Sequence, residues 1–532
     1  MTEPTLQSRY DVVVIGGGHN GLTAAAYLSQ AGLSVLVLER LGATGGAAIS
    51  QELFEGLPAR FSPYAHLLGL FPERISKELA LDVQLRTRRT ASYAPAIRGG
   101  RHSGLLVERN PTQITEDSFR AMTGSGREYD AYRAFQGHLA DLADVVAPSL
   151  LEPLVDRAEM ERRTNPTTWR NVVEEPIGRL VEQQLEDDIV RGLAASNAVY
   201  GTFTDLHSPD LDQNRTFLTM VLGDAGNGWQ VPIGGMGAVT AALERTVHAH
   251  GGEVVTRAFV TRMQSTGTAA RVAFRTGGTE QAVECDWVLS NVAPWVLRLM
   301  LGENPGPRPE GSVLKIDMLL DRLPRLRAGV SPPMAFAGTV HFGTHYEQLQ
   351  QAFLEAQEGF IPEVPPGVLF CHSLTDPSVL GTLAMEGKHA FSFLGFHAPA
   401  RLFSGHVDVQ RDEIVLRILD SINTHLEEPI ESLVSLDANG NPCLLARAPQ
   451  DVESTLAMPG GHMFHGPLSW PWHEGDEPPA TPAERWGVAT DIPNVLLCGA
   501  GAVRGGGVSG VGGHNAAMAV LEATGRSVPA AT

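Results

Sequence analysis

Gly16, Gly18 and Gly21 stand in the spacing G-x-G-x-x-G directly after the apolar run 12–15. That pattern suits the holding of a pyrophosphate. Gly16 permits a sharp turn, Gly18 offers no side chain to keep a phosphate off the backbone, and Gly21 lets the next element pack closely on the strand. Glu39 follows about twenty residues on, where a carboxylate accepts hydrogen bonds from an adenosine ribose. An acid there disfavours a 2′-phosphate, so NADP does not suit this pocket, whereas NAD and FAD both do. The elements that must position these residues are legible around them. Residues 12–15 read as a buried parallel strand, 21–31 as a helix and 34–38 as a second buried strand. The helix start would aim free N–H groups and a positive dipole end at the phosphates, and Gly32 suits its C-terminal stop.

The chain has 532 residues, enough for two or three domains around a large core. Its net charge of −20 argues against nucleic acid, which requires basic patches. Only Lys77, Lys315 and Lys388 are lysines, so arginine carries nearly all the positive charge. No run approaches the roughly 18 apolar residues that span a bilayer. Residues 1–9 are short and polar and resemble neither a signal nor a transit peptide. Cys285, Cys371, Cys443 and Cys498 lie far apart, with no C-x-x-C or metal spacing, so neither a redox dithiol nor a metal site is expected. A reducing cytoplasm is the default compartment.

Residues 54–71 are apolar, aromatic and turn-rich, and suit either a packed connector or a wall over the cofactor. Residues 72–228 read as a different unit, with helical stretches at 127–144 and 177–195. Between these, 146–155 is an apolar patch with two prolines, fit for the interior, a substrate entrance or peripheral contact with a membrane surface. The nucleotide unit returns at Trp229 with a glycine-led helix running to His250, strands at 253–256, 259–263, 271–275 and 282–290, and a loop at 291–294. Residues 301–482 revisit the other unit. The apolar run 494–498 then leads through a glycine-rich turn into a last helix, whose N-terminus could face the pyrimidine edge of a flavin. The expected division is 1–71, 229–300 and 483–532 for cofactor binding, and 72–228 with 301–482 for substrate.

Resemblance narrows the cofactor. The pair Gly45-Gly46, six residues past Glu39 in Glu39-Arg40-Leu-Gly-Ala-Thr-Gly45-Gly46-Ala47, is similar to the flavin oxidoreductases of the glutathione-reductase group, whose loop there follows the pyrophosphate and ribityl chain. The motifs Gly16-Gly-Gly-His-Asn-Gly-Leu, Phe61-Ser-Pro-Tyr, Pro232-Ile-Gly-Gly-Met-Gly-Ala, Ser290-Asn-Val-Ala-Pro, Phe464-His-Gly and Gly499-Ala-Gly-Ala-Val-Arg-Gly-Gly-Gly-Val-Ser-Gly-Val resemble the phytoene-dehydrogenase-related flavoproteins. Among these, they lie nearest the branch named pyridine nucleotide-disulphide oxidoreductase domain-containing protein 2. The resemblance covers most of the chain in order. It implies an α/β fold: a discontinuous glutathione-reductase-type Rossmann domain for non-covalent FAD, with an interleaved α+β substrate domain, as in phytoene desaturases and flavin amine oxidases. It also adds Arg40, Gly45, Gly46, Ala47, Val260, Asn291, Gly499, Ala500, Gly510 and Val511 to the glycines and Glu39 as cofactor contacts. Ala500 replaces an acid common in the wider group, as in carotenoid desaturases. The cysteine pair that the branch name suggests is absent.

Lys315, in Gly311-Ser-Val-Leu-Lys315, is placed similarly to the lysine that holds a water at flavin N5 in flavin amine oxidases. Its alternative is an ion pair, for instance with Asp317. Among histidines in turn or glycine-rich segments (His19, His66, His462, His465 and His514), His465 and His514 are the candidate acids or bases, although a structural role suits each. The implied activity is hydride transfer from a hydrophobic, carotenoid- or lipid-like molecule to the flavin. Redox-neutral isomerisation, amine oxidation with Trp470 and Trp472 as a cage, and non-catalytic binding on the same fold, as in Rab GDP-dissociation inhibitors, are the rivals. Substrate identity and oligomeric state stay open.

Overall fold

The computed structural model describes residues 6–226 and 228–528, so the polar start expected at 1–9 lies partly outside the described residues. The first sheet is built on strand Arg9–Ile15, whose run of β-branched residues is buried on both faces. It pairs in parallel with Val35–Leu38 on one side and with Thr279–Ser290 on the other. Glu253–Val255 extends the sheet beyond Val35–Leu38, and Val495–Leu497 pairs in parallel with the end of Thr279–Ser290. The antiparallel strands Phe259–Ser265 and Ala270–Thr276 complete it.

Register fixes the site. Ile15 is paired with Leu38 and with Ser290, and Ser290 with Leu497. The residues that follow, Gly16, Glu39, Asn291 and Cys498, therefore leave the sheet at one level along its carboxyl edge, where ligands of open α/β sheets bind.

Helix His19–Gln30 starts two residues earlier than the 21–31 expected. A Cβ on Gly21 would lie 2.2 Å from the Gly16 carbonyl oxygen, so only glycine lets the helix sit this close to the strand. The final helix Val511–Thr524 packs beside it just as closely: a Cβ on Gly513 would lie 2.0 Å from the Asn20 carbonyl oxygen.

The second sheet runs in the order Leu444–Arg447, Leu314–Leu320, His389–Gly395, Gly367–Phe370, Thr339–Phe342, Thr90–Arg98, Arg101–Glu108. All pairs are antiparallel except Thr339–Phe342 with Thr90–Arg98. Leu314–Leu320 alternates as a strand should. Leu314, Ile316 and Met318 pack with Ile414, Ile418 and Ile422 of helix Val407–Asn423, and Lys315 and Asp317 share the other face. Helices Arg127–Val146, Ile177–Gln184, Asp188–Ala195 and Asp212–Asp224 form a core of their own with Phe135, Trp169 and Phe217.

The single helical stretch expected at 177–195 is two helices, because the Asp187 carboxylate accepts from the Ile189 and Val190 N–H groups and caps a second start. The apolar patch 146–155 is packed inward in part and leaves both of its prolines, Pro148 and Pro153, exposed. Val146 and Leu151 are buried, and the buried guanidinium of Arg504 donates to the Ser149 carbonyl at 2.7 Å.

Candidate functional site

One long cavity of about 460 Å³ lies between the two sheets, within the range of small-molecule and cofactor sites. At one end are Gly16, Gly18, His19, Asn20, Glu39, Arg40, Gly46 and Ala47. Val260, Asn291, Ala500, Gly507 and Val508 line its flank. Lys315, His66, Phe464 and His465 sit deeper, and Arg88, Tyr132, Tyr200, Thr339, His341 and Phe370 close the far end.

The glycine end is held by hydrogen bonds within the chain. The Gly17 N–H donates to Glu39 Oε2 at 2.8 Å, and the Leu41 N–H to Glu39 Oε1 at 2.7 Å. The Glu39 carboxylate thus clamps both turns and still faces the cavity. Asn291 Nδ2 donates to the Gly16 carbonyl at 3.1 Å, locking the turn in which Gly16 has φ +100°. Gly18 and Gly46 approach so closely that a Cβ on Gly46 would lie 3.2 Å from the Gly18 Cα. The residues fit a dinucleotide by three features: a backbone cradle with no side chains in it, a helix start free of acidic residues that opens on the cavity, and Asn20 Oδ1, which has no partner. The Arg40 guanidinium reaches across to the Thr455 carbonyl.

Gly21, Gly45, Gly499, Gly510 and Val511 do not line the cavity; they shape the elements that do. Gly45 forms a parallel bridge with Gly18, and a Cβ on Gly499 would sit 2.9 Å from the Asn291 carbonyl oxygen. The last helix does not present its first turn to the cavity as expected. Gly510 and Val511 are buried, and a Cβ on Gly510 would lie 2.9 Å from the Phe71 ring, so the preceding turn at Gly507 and Val508 takes the lining position.

Lys315 is buried on the strand face that looks into the cavity. Its Nζ donates to the Ser62 carbonyl and lies 3.4 Å from Asp317 Oδ1. Asp317, fully buried, also accepts from Ser392 and from Arg447 Nη1 at 2.9 Å. Burial pushes the Lys315 ammonium down to about 8, against the opposing pull of Asp317. The cavity position and the ion pair, which the sequence posed as alternatives, coexist. Lys315 has three N–H donors, and two directions are taken by Ser62 and Asp317.

His465 lines the cavity with a backbone φ of +68°, rare for a residue with a side chain. Burial pushes its imidazole down to about 4, so it is neutral near pH 7, and its Nδ1 has no partner. His514 does not reach the cavity. It is wedged edge-on between Tyr27 and Trp486, and its Nδ1–H donates to Asn515 Oδ1 at 2.8 Å. Its proposed catalytic contact is therefore withdrawn, because the first turn of its helix is buried. Trp470 and Trp472 do not form a cage at the cavity either. They stack on each other with ring centroids 5.1 Å apart inside the helical core.

Residues 63–67 and Leu70 line the cavity, whereas Phe54 and Phe61 pack in a separate core, so the 54–71 segment is connector in its first half and wall in its second. The sequence reading passed over Arg88, Tyr132, Tyr200 and His341. Their only signal was a polar residue beside or inside a stretch that reads as strand or helix, which marks a surface as readily as a cavity.

Parallel strands opening at their carboxyl edge on a cavity roofed by a second sheet define a two-sheet, Rossmann-based nucleotide-binding fold. Residues 21–431 match the family described as flavin containing amine oxidoreductase, and the chain belongs to that family. An uncharacterized protein of Mycobacterium tuberculosis is 41% identical over 521 residues, covering 96% of this chain and 97% of its own. The pyridine nucleotide-disulfide oxidoreductase domain-containing protein 2 of Rattus norvegicus is 29% identical, over 97% of this chain and 94% of its own, in keeping with the resemblance read from the motifs. Cyclohexylamine oxidase from Brevibacterium oxydans shares the fold, with a TM-score of 0.56 at 15% identity over 97% of this chain and all of that one. The chain is thus a flavin-dependent oxidoreductase. All four of its cysteines are free and buried, and none lines the cavity. Among the described residues no helix is long and apolar enough to cross a membrane.

Proposed function

We propose that this chain binds FAD non-covalently along the glycine end of the cavity and oxidises an apolar substrate held in the remainder. The single observation that supports this reading most strongly is continuity: one cavity joins the glycine cradle and Glu39 to Lys315, His465 and the mainly apolar walls beyond. When bound, the flavin supplies a hydride acceptor. The chain supplies the rest. Gly16, Gly18, Gly46 and the first turn of helix His19–Gln30 take the pyrophosphate, Glu39 the ribose, and Ala47, Val260, Asn291 and Ala500 the flank. His66, Leu67, Phe370, Leu394 and Phe464 exclude water and orient the substrate. Lys315 holds a water or a charge at the reacting end through its free N–H. The division into cofactor segments 1–71, 229–300 and 483–532 and substrate segments 72–228 and 301–482 belongs to the same reading.

Four cationic side chains (Arg40, Arg88, Arg109 and Lys315) against two carboxylates (Glu39 and Asp224) line the cavity. Glu39 is held by Gly17 and Leu41 and Asp224 by Arg109, so neither lining acid is free to receive an ammonium, which disfavours an amine substrate. The test is anaerobic addition of saturated lipids, polyenes and primary amines to the yellow holoprotein. Loss of the oxidised-flavin absorbance with an apolar compound, restored by air, is expected. Bleaching by amines alone contradicts the substrate reading. A product formed with no lasting bleaching and no acceptor consumed would establish the isomerase reading.

A further inference from the structure

The far end of the cavity holds a cation without a counter-ion. Arg88 precedes strand Thr90–Arg98, whose Ser92 pairs with Thr339. Its Nη1 donates to Thr339 Oγ1 at 3.1 Å, and its guanidinium lies 5.9 Å from the centre of the Phe370 ring. Its Nε is buried and has no acceptor. Among the described residues no carboxylate comes within ion-pair distance of Arg88. Asp224, the acid lining this end, is bound to Arg109 at 2.9 Å, so two guanidiniums share one carboxylate. An uncompensated charge of this kind is costly in a water-poor site. Burial indeed drives the Arg88 guanidinium down to about 10.

A neighbouring polar atom also lacks a partner. His341 Nδ1 is buried with no partner, and burial beside Arg88 pushes its imidazole down to about 3, so it stays neutral. Tyr200, whose ring packs on Phe396 at 4.8 Å, Asn197 and Gln136, which donates to the Tyr132 hydroxyl at 2.8 Å, also line the cavity. One excess positive charge, with the Arg88 Nε and His341 Nδ1 both without partners, matches a carboxylate.

Register sets its distance from the reacting end. Lys315 pairs with Leu394, Leu394 with Val368 and Val368 with His341, in one row across the sheet. Three strand spacings separate Lys315 from His341, about 14 Å. The wall between them is Leu394, Phe370 and the imidazole of His66, which stacks on Phe370 at 4.9 Å.

We propose that Arg88, Thr339 and His341 form a subsite for a carboxylate carried at one end of an apolar substrate, whose oxidised carbon lies toward Lys315. The assignment rests on the function proposed above for its reacting end, but the anion site is readable without it. The experiment is calorimetric titration of the purified full chain with decanoate and, separately, with 1-decanol, flavin content being read from the visible spectrum of the same samples. Decanoate is expected to bind at least roughly tenfold more tightly than decanol. Arg88→Gln is expected to abolish that preference and leave decanol binding unchanged, and Arg88→Lys to retain part of it. The proposal is overturned if decanoate does not bind, if it binds no more tightly than decanol to the wild-type chain, or if Arg88→Gln keeps the preference. A flavin-free protein that prefers decanoate through Arg88 would sink the oxidoreductase mechanism and keep the subsite. A flavin-loaded protein indifferent to the carboxylate would do the reverse.

Discussion

Lys315→Met is expected to slow reoxidation of the reduced holoprotein by oxygen by a factor on the order of a hundred, the loss seen when one preorganised charge-stabilising group is removed. Reduction of oxygen develops negative charge, and a cation held at the reacting end stabilises it. Lys315 is buried, faces the cavity and keeps one N–H direction free of Ser62 and Asp317. The sign of the pH dependence follows from its depressed value of about 8. Below that pH the ammonium dominates and the rate is high. Above it the amine is neutral and the rate falls. Mixing dithionite-reduced protein with aerated buffer in a stopped-flow instrument reads this without any substrate. The wild-type profile should step down near pH 8, and the variant should be slow and flat. An unchanged rate and profile in Lys315→Met would leave the lysine with only its ion pair to Asp317.

The second large effect is expected at Glu39. Glu39→Ala removes the acceptor of two N–H groups, the buried Gly17 at 2.8 Å and the half-buried Leu41 at 2.7 Å, in addition to any ribose contact. Losing a charge-assisted ribose contact costs roughly 1.5–3 kcal/mol, and the two turns lose the carboxylate that holds them, so FAD affinity should fall at least tenfold, with the fold intact by circular dichroism. Glu39→Gln, which keeps one acceptor oxygen, should lie between. Flavin per chain after gel filtration measures both. Full occupancy in Glu39→Ala would contradict the ribose assignment.

Why some of this could be read from the sequence and some could not has a physical basis. The glycine cradle was legible because its requirements are local. Gly16 needs a positive φ, and Gly21 sits 2.2 Å, by its absent Cβ, from a carbonyl five residues earlier. Glu39 follows at a separation set by one helix and one strand. The roles of His514 and the 510–511 helix start depended on tertiary packing: the helix was rightly expected, but its first turn is buried against Asn20 and Phe71. The far end of the cavity was least legible. It depends on Thr339 pairing in parallel with Ser92, a contact between distant parts of the chain that no local pattern announces. The aromatic pair at 470 and 472 is a cage only in the rival amine-oxidase reading, and tryptophans stacked in a core and tryptophans around a substrate have the same sequence.

The most direct test of the central claim is the visible spectrum of the purified chain, taken before and after denaturation and removal of the protein by filtration. The account predicts a yellow protein with one flavin per chain, all of it recovered in the filtrate as FAD. A colourless protein that takes up no added FAD, or colour retained by the denatured chain, would contradict it.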